Sequence, residues 1–305
     1  MHGRIPVTVI ILTHNEGVNI SSCVDSLADF AEIVIVDSGS TDRTVDIVRS
    51  RYPDIRVLHH PFEDFGQQRN WALDQAKAAH EWILFLDADE RCTLACAESI
   101  RAAVANPSGN VGFFLCYRNI FLDRWIKRCT MYPTWQLRLL KVGNVRYRKE
   151  GHGQRELMTG PSGYITEPYD HYGFSKGVKD WIARHNEYSS NEIELIEHLT
   201  STPVNLSGLL AQDHVRRRRT LKQLAARAPL RPVVRFLYLY FIRRGFLDGR
   251  PGLLFCLLRF AHELHIVVKQ AEHRAAIHPT APIVEDEVEK SRSLRRSAID
   301  TISTS

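Results

Sequence analysis

The sequence lacks the cysteine pairs and long apolar runs that organise disulfide-rich or membrane-spanning proteins. Its six cysteines are scattered over 305 residues and form no C-x-x-C pair. We therefore expect reduced thiols, and neither a disulfide framework nor a zinc site. No run of about 18 apolar residues is present, which disfavours a spanning helix. Residues 1–6 lead into an apolar segment without the hydrophobic core of a signal peptide, so we expect a cytoplasmic protein.

Two glycine-rich phosphate-binding motifs are also missing. No G-x-G-x-x-G follows the first apolar segment, which disfavours a dinucleotide-dependent dehydrogenase. The fragment Gly151-His152-Gly153 lies far from any first strand–helix turn. The absence of G-x-x-x-x-G-K-[ST] argues against a P-loop enzyme. A phosphate-bearing ligand would therefore need another source of positive charge, such as a metal ion.

Composition and charge are those of a globular protein with one basic region. Charged residues make up 25% of the chain and the apolar set AVILMFWYC makes up 44%, which are ordinary values for a soluble protein. The length allows one large α/β domain with a helical extension. Much of the net charge of +5 comes from residues 214–219 and 227–250. Such a stretch suggests contact with anionic lipid, glycan or nucleic acid, or a solvated face.

Apolar runs alternate with helical spacing over the first 90 residues. We predict strands over 7–12, 32–37, 55–58 and 82–86. The intervening segments have helical periodicity across 18–30, 45–52 and 67–79. Strands separated by helices form β-α-β units, so we predict a mostly parallel sheet flanked by helices.

The pattern changes beyond residue 110. We predict strands over 113–117 and 136–140, separated by an aromatic-rich loop. A helix follows residue 175, with an apolar stripe at Val178, Trp181, Ile182, His185 and Tyr188. Further helices are predicted over 207–226, 231–247 and 251–273, with a turn at 248–251. The polar segment 279–305 is predicted to be a disordered tail.

Three of the early strands end in polar residues. These ends are Thr13-His14-Asn15-Glu16, Asp37-Ser38-Gly39-Ser40-Thr41-Asp42 and Asp87-Ala88-Asp89-Glu90. Because parallel strands end at the same edge of a sheet, we expect the three to form one cleft, where open α/β sheets bind ligands. Two carboxylates one residue apart suit a hard divalent cation that also binds a diphosphate. Asp87 and Asp89 are therefore candidate metal ligands.

Four motifs together resemble those of family 2 glycosyltransferases. They are Thr13-x-Asn15-Glu16, Asp37-Ser38-Gly39-Ser40-Thr41-Asp42-Arg43-Thr44, Gly66-x-x-Arg69-Asn70 and Asp87-Ala88-Asp89. The resemblance covers about residues 5–200 and is greatest to bacterial transferases of lipopolysaccharide core and exopolysaccharide assembly. It implies a GT-A fold, with a Rossmann-like mostly parallel sheet and a C-terminal helical extension. The implied activity is an inverting, hexosyltransferase-type transfer of a sugar from a nucleoside diphosphate.

The same resemblance divides the chain. Residues 1–200 would form the GT-A domain, with a nucleotide-sugar half over about 5–110 and an acceptor half over about 111–200. Residues 201–278 would form a helical extension, and 279–305 the tail.

The resemblance also implies roles for individual residues. The nucleotide-sugar, with a UDP-sugar favoured, would be bound by Thr13, Asn15, Glu16, Asp37, Ser38, Gln68, Arg69, Asp87 and Ala88. Asp37 would contact the base or ribose, and Arg69 the base side of the donor. Asp89, with Asp87, would bind Mg²⁺ or Mn²⁺ on the diphosphate.

A single in-line displacement requires a general base for the acceptor hydroxyl. Many relatives have a His-Glu pair at this place, whereas here Gly153 follows His152. We predict Glu150 as the base, with Glu156 and Asp170 as alternatives. His152 and His171 would orient the acceptor or the base, or are ordinary hydrogen-bonded histidines.

The C-terminal helices are expected to contact an anionic membrane surface. The apolar and aromatic runs 233–242 and 253–258 are too short to span a bilayer and are flanked by arginines. Basic helices of this kind suit the membrane interface. The resemblance implies a lipid-linked or glycan acceptor and a peripheral position on the inner face of the bacterial cytoplasmic membrane. The alternative is a helical subdomain that packs on the catalytic domain or on a second protomer.

Two other functions remain open from the residues alone. A metal-dependent nucleotidyltransferase also uses carboxylates on such a sheet, but it usually has a basic glycine-rich loop after the first strand. A non-catalytic glycan or nucleic-acid binding module could use the arginines of 216–219. The acidic residues Asp37, Asp87 and Asp89 disfavour a pure binder of anions, and we expect no nucleic-acid partner.

Overall fold

A mixed β-sheet forms the centre of the protein. The computed structural model describes residues 3–150, 153–210, 214–227 and 230–277. The strands are β1 (Ile5–Thr13), β2 (Phe30–Asp37), β3 (Arg56–His59), β4 (Trp82–Asp87), β5 (Glu90–Arg91), β6 (Gly112–Phe121), β7 (Arg124–Trp125), β8 (Trp135–Lys141), β9 (Val145–Glu150), β10 (Gly153–Met158) and β11 (Ser162–His171). The α-helices are α1 (Ile20–Asp25), α2 (Thr44–Arg51), α3 (Phe65–Gln75), α4 (Leu94–Ala105), α5 (Gly177–Asn191), α6 (Ile193–Ser201), α7 (His214–Arg227), α8 (Arg231–Leu237) and α9 (Gly249–Ile277).

The strand order of the main sheet is β3-β2-β1-β4-β8-β6-β11-β5, and the short β7 pairs with β6. β1 is parallel to β2 and to β4, and β2 is parallel to β3. β8 runs antiparallel between β4 and β6, while β11 is parallel to β6. β9 and β10 form a separate antiparallel hairpin. The predicted α/β fold class, a Rossmann-like mostly parallel sheet flanked by helices, is confirmed.

β1 shows why the apolar runs form central strands. Val9 and Ile11 pack in one buried cluster, and Ile10 packs in a second cluster with Phe85. Since successive side chains of a strand point to opposite faces, both faces of β1 are covered. The register pairs Thr13 with Asp37 of β2, and Leu12 with Asp87 of β4. The polar residues at the ends of these three strands are therefore neighbours at one edge of the sheet.

The predicted helical spacing across 18–30 is wrong at its end. α1 ends at Asp25, and Phe30 begins β2. Phe30 and Val24 are buried in the same cluster. Phe30 is buried and apolar and therefore fits the helical spacing, but it belongs to a strand.

The hairpin β9–β10 and the strand β11 are absent from the sequence prediction. In β9, Val145 and Tyr147 are buried, whereas Arg146 and Arg148 are exposed. This alternation is that of a half-buried strand, but charged residues conceal it in a short segment. Glu150 therefore ends a strand of this hairpin, and its backbone pairs with Gly153.

The predicted single helix over 231–247 is also wrong. α8 is followed by a π-helical turn, Tyr238–Ile242, and by a 3₁₀ turn, Gly245–Asp248. Arg244 has a left-handed φ of 60°, and a Cβ on Gly245 would lie 2.8 Å from the Leu239 carbonyl oxygen. The chain bends there because only glycine fits against that carbonyl. The predicted turn at 248–251 is instead the beginning of α9, which has Pro251 in its first turn.

The C-terminal helices pack on the residues that precede position 200. A third buried cluster joins Phe121 and Cys129 to Leu239 and Cys256. α9 also contacts α5, where Lys269 Nζ donates to Ser189 Oγ at 2.9 Å. The division at residue 200 stays a prediction. The segment 279–305 lies outside the described residues.

We expected no stretch long and apolar enough to span a membrane, but one helical segment is. Gly245–Ala275 meets that criterion by length and composition alone. Cys256 and Ile266 are fully buried, and the polar His262 is almost so. Since one side of this helix packs inside the protein, its composition is weak evidence for a membrane span.

Candidate functional site

A cavity of about 1190 Å³ opens at the carboxyl ends of β1 and β4. One wall consists of the strand ends, including 13–16, Ser38 and 87–90. The opposite wall comes from 173–188 and from side chains of α8 and α9. The predicted donor and metal residues that line the cavity are Thr13, Asn15, Glu16, Ser38, Gln68, Asp87, Ala88 and Asp89. Asp37 and Arg69 lie behind this lining.

The Thr13 hydroxyl is buried beside the cavity without a hydrogen-bond partner among the described residues. Thr13 ends β1 with only 4% of its surface exposed. Buried hydroxyl groups are normally bonded, so this one is suited to a ligand in the cavity.

Asn15 links the loop after β1 to the loop after β2. Its Oδ1 accepts hydrogen bonds from the backbone N of Thr41 at 2.8 Å and of Asp42 at 3.2 Å. Its own backbone N donates to Ser40 Oγ at 2.9 Å. The left-handed φ of 53° is one that asparagine tolerates. Asn15 therefore shapes the edge of the cavity.

Asp37 stabilises the turn after β2. Its Oδ2 accepts from the backbone N of Gly39 at 3.1 Å and of Ser40 at 3.0 Å, and Ser40 Oγ donates to Oδ1. Gly39 has φ 81°, a conformation that favours glycine. Gln68 Nε2 donates to Ser38 Oγ at 3.0 Å and holds the same turn against α3. The predicted contact of Asp37 with a base or ribose stays a prediction.

A buried network of opposite charges holds Asp87. Arg138 donates from one Nη to Asp87 at 2.8 Å and to Glu90 at 2.6 Å, and Arg69 lies 3.4 Å from Asp87. Burial acts to raise the pKa of Asp87, but the two arginines outweigh it and hold the pKa well below its ordinary value. Burial, and then the charge of Asp87, raise the pKa of Glu90 to about 7 against the opposing effect of Arg138. Asp87 is therefore held as a carboxylate by two guanidinium groups, whereas Glu90 is paired with that of Arg138 alone.

Arg69 supports Asp87 from behind the cavity. One Nη donates to Gln154 Oε1 of β10 at 2.9 Å. The guanidinium carbon lies 5.6 Å from the centre of the Phe85 ring and 5.9 Å from that of Tyr147. The predicted role of Arg69 at the base side of a donor is not visible in this arrangement and stays a prediction.

Asp89 and His171 form an ion pair at the edge of the sheet. His171 Nε2 lies 3.4 Å from Asp89 Oδ2, and Nδ1 lies 3.1 Å from Asn119 Oδ1. Burial acts to raise the pKa of Asp89, but the hydrogen bond and charge of His171 hold it below its ordinary value. Burial acts to lower the pKa of His171, and Asp89 raises it. The two side chains therefore favour the charged pair.

The side chains at this site suit a divalent cation whose coordination shell is completed by substrate phosphates and water. Among the described residues, no group of three His, Cys, Asp or Glu could hold a metal ion. Asp89 and His171 provide one carboxylate and one imidazole, while Asp87 is engaged by two arginines. Mg²⁺ is typically bound through one or two carboxylates, with substrate phosphates and waters completing its shell. The residues present fit such an ion, with Asp89, which among the described residues pairs with His171 and with no arginine, as the candidate ligand.

The opposite wall is aromatic and is linked to the strand ends. Trp181 stacks between Phe174 and His185, with ring centres 5.3 Å and 3.5 Å away. Lys176 Nζ lies 2.6 Å from Glu16 Oε1 and connects this wall to the end of β1. Burial raises the pKa of Glu16 even though Lys176 opposes it. The cavity therefore lies between an acidic edge of the sheet and an aromatic helical wall.

The candidate bases differ in their surroundings. The Glu150 side chain and the whole of His152 lie outside the described residues. Asp170 forms a two-fold ion pair with Arg118, at 2.5 Å and 2.9 Å, and it does not line the cavity. Glu156 belongs to β10 and also does not line it. Asp170 is therefore committed to a structural contact, and Glu150 stays the predicted base.

Sequence reasoning missed several lining residues. Glu90 directly follows the motif Asp87-Ala88-Asp89, and Arg138 is a single arginine within the apolar strand β8. Arg235 and Arg259 were assigned to a membrane-facing surface, yet both line the cavity. A charged residue inside an apolar run was the available signal for Arg138, since such a residue is rarely buried without a partner.

Comparison with known proteins gives a family match. The model of the family described as Glycosyl transferase family 2 matches residues 8–162, about half of the 305-residue chain. The lipopolysaccharide core biosynthesis glycosyltransferase LpsC of Rhizobium meliloti (strain 1021) is 33% identical over 148 residues, 47% of this chain and 54% of that protein. The prophage-derived glycosyltransferase SunS of Bacillus subtilis (strain 168) is 40% identical over 85 residues, 27% of this chain and 20% of that protein. The matches thus span about half or less of these relatives.

Solved structures also align along most of the chain. The mannosyltransferase PcManGT from Pyrobaculum calidifontis, in complex with GDP-Man and Mn²⁺, is 17% identical, with a TM-score of 0.46. That alignment covers 88% of this chain and 87% of the mannosyltransferase.

His185 gives the helical wall a pH dependence. Burial, with the nearby charges of Arg259 and His262, lowers the pKa of His185 to about 4. The unfolded chain binds a proton near pH 6.5, where the folded protein does not, so the free energy of unfolding falls as pH falls from about 6.5 towards 4. We expect His185→Gln to reduce this loss in urea unfolding at pH 7, 6 and 5. His80→Gln serves as a control, and parallel pH profiles for His185→Gln and the unaltered protein would contradict the prediction.

Proposed function

The chain belongs to glycosyl transferase family 2, and on that basis we propose that it transfers a sugar from a nucleoside-diphosphate donor to a hydroxyl of a glycan or lipid-linked acceptor. The observation that carries the proposal is the cavity in which Asp87 and Asp89 end β4 beside the polar ends of β1 and β2. Family membership disfavours the nucleotidyltransferase and the non-catalytic binding module. The volume of about 1190 Å³ is enough for a donor together with part of an acceptor.

The nucleotide side of the donor would lie at the ends of β1 and β2. Thr13 offers a free hydroxyl there, and Ser38 and Gln68 add polar groups to the same lining. Asn15 and Asp37 would act mainly by holding the two loops in shape. A UDP-sugar is the favoured donor.

Asp89 and, after loss of its proton, His171 would hold Mg²⁺ or Mn²⁺, with Asp87 directed to the donor. When bound, the metal ion supplies Lewis-acid stabilisation of the leaving nucleoside diphosphate. Arg138 and Arg69 keep Asp87 ionised, so that its oxygens can accept hydrogen bonds from ribose or sugar hydroxyl groups. Asn119 Oδ1 accepts a hydrogen bond from His171 Nδ1 and thereby fixes the orientation of that ring.

Inversion requires a base that removes the proton of the acceptor hydroxyl as its oxygen attacks the anomeric carbon. We assign this role to Glu150, at the end of β9, and retain Glu156 and Asp170 as the alternatives. Arg69 connects the hairpin to the acidic edge through Gln154. This contact supports a position of the hairpin close to the donor.

The acceptor would belong to lipopolysaccharide core or exopolysaccharide assembly, with the protein peripheral on the inner face of the membrane. The matching relative LpsC is described as a lipopolysaccharide core biosynthesis enzyme. An exposed apolar face supports a membrane position. It comprises Leu230, Val234, Leu237, Phe241, Ile242, Phe246 and Leu247. Arg244 and Arg250 are exposed in the same segment and complement anionic lipid.

Asp89→Asn tests the metal site. We expect the unaltered protein to be stabilised by UDP more strongly with Mn²⁺ than without it, because a ligand that binds only the folded state raises its stability. The variant should lose the metal-dependent part of this stabilisation in a thermal-shift titration. Asp46→Asn, an exposed change on α2, is the matched control. An equal response to Mn²⁺ in Asp89→Asn and the control would remove Asp89 from the site.

Glu150→Gln tests the base. Transfer should fall by roughly 10²- to 10⁴-fold, the usual contribution of a general base, while affinity for UDP stays the same. Initial rates with a radiolabelled UDP-sugar and calorimetric binding of UDP separate the two effects. Glu156→Gln provides the comparison within the same hairpin. If Glu150→Gln turns over normally, Glu150 is excluded, and a selective loss in Glu156→Gln would move the role to that residue.

Ile242→Asp tests the membrane contact. Ile242 is 72% exposed on the apolar face, and Leu94 on α4 is exposed to the same extent, so Leu94→Asp is a matched control. We expect co-sedimentation with vesicles that contain phosphatidylglycerol, less binding at high salt, and a loss in Ile242→Asp only. Equal sedimentation with neutral and anionic vesicles would contradict the membrane proposal.

A further inference from the structure

Two arginines on the helical wall face the cavity without a close carboxylate. Arg235 of α8 and Arg259 of α9 both line it. The closest carboxylate oxygen to Arg235 is that of Glu263, at 3.9 Å, and Arg235 Nε is buried without a hydrogen-bond partner among the described residues. Within the described part of the chain, Arg259 forms no ion pair closer than 4.0 Å and no side-chain hydrogen bond. Both side chains are partly buried, and charged side chains in such positions are normally paired, so these two arginines are unusual.

The surrounding charge does not neutralise the two arginines. Glu263 is bound closely by Arg231, at 2.6 Å, and lies 3.9 Å from Arg235, so little of its charge is left for Arg259. Burial lowers the pKa of Arg259, and the neighbouring Arg235 lowers it further against the effects of Glu263 and Glu192. Arg231, Arg235 and Arg259 are thus accompanied by only two glutamates, Glu263 and Glu192. An excess of positive charge is left beside the cavity.

Apolar and neutral side chains complete this corner of the cavity. Phe255 and Leu239 line it beside the arginines, and the Trp181–His185 stack lies on the adjacent helix. His185, whose pKa is lowered to about 4, is neutral at physiological pH and adds no competing charge. Guanidinium forks beside aromatic faces recognise a phosphate or carboxylate attached to an organic group.

The donor diphosphate has a different place in the proposed arrangement. It would lie with Asp89 and His171 at the edge of the sheet, whereas the arginines belong to α8 and α9 on the opposite wall. We propose that Arg235 and Arg259 bind an anionic group, a phosphate or a carboxylate, carried by the acceptor. This inference rests on the proposed glycosyl transfer, and it names the chemical class of the acceptor.

Calorimetry with phosphate-bearing probes tests the subsite. The full chain, saturated with UDP and Mn²⁺, is titrated with glucose 6-phosphate and with geranyl phosphate, and separately with uncharged glucose. We expect one of the phosphates to bind and glucose not to bind. Arg259→Gln should weaken phosphate binding by about tenfold or more, as expected when charge-assisted hydrogen bonds are lost. Arg274→Gln, an exposed change on the same helix, should bind like the unaltered protein.

The variants distinguish the possible results. Arg235→Gln, at a more exposed position, gives a second test should Arg259→Gln fail to fold, as judged by thermal unfolding. Binding of glucose 6-phosphate or of geranyl phosphate that is lost in the arginine variants supports the subsite. Binding of glucose 6-phosphate would indicate an anionic glycan, and binding of geranyl phosphate would indicate a lipid phosphate. Absence of phosphate binding, or unchanged binding in both variants, overturns it.

UDP affinity separates this inference from the proposed function. Loss of UDP binding in Arg259→Gln would assign the arginines to the donor and overturn the acceptor subsite. Failure of the unaltered protein to bind UDP would contradict the proposed function instead. The phosphate titration is repeated without UDP, so the subsite is still tested in that case.

Discussion

The buried guanidinium of Arg138 is the contact on which the site depends. It is 3% exposed and donates to Asp87 at the end of β4, to Glu90, and through Nε to Tyr169 Oη of β11 at 3.2 Å. Buried charges are costly unless they are paired, and removal of one partner leaves an uncompensated charge. Arg138 therefore joins strands that are distant in sequence and fixes the carboxylates at the edge of the sheet. The orientation of the segment 87–90, and with it that of Asp89, follows from this contact.

The two walls of the cavity have different chemistry. The sheet edge presents carboxylates with His171, and the helical wall presents aromatic rings with Arg235 and Arg259. A metal-bound diphosphate suits the first wall, and an anionic acceptor suits the second. The C-terminal helices thus line the site and also contain the exposed apolar residues. The bend at Gly245 allows both, because it turns the chain between α8 and α9.

Much of the donor side could be predicted from sequence, because local patterns determine it. Apolar runs that end in Thr13, Asp37 and Asp87 indicate parallel strands with a common polar edge, and the α/β fold class is confirmed. The partners of those residues could not be predicted. Arg138 reaches Asp87 only through the antiparallel pairing of β8 with β4, and Arg69 proves to lie behind the cavity. The hairpin β9–β10 was missed because charged residues conceal its alternation. The bend at Gly245 depends on a tertiary contact with Leu239, which no local pattern indicates.

In the proposed mechanism, this cavity binds a nucleoside diphosphate through a divalent cation at Asp89. Anomalous diffraction from crystals soaked with UDP and Mn²⁺ would locate that cation. We predict one strong manganese peak, bonded to an Asp89 carboxylate oxygen and to UDP phosphate oxygens. Ordered UDP in the cavity without manganese, or a manganese peak away from Asp89, would contradict the account.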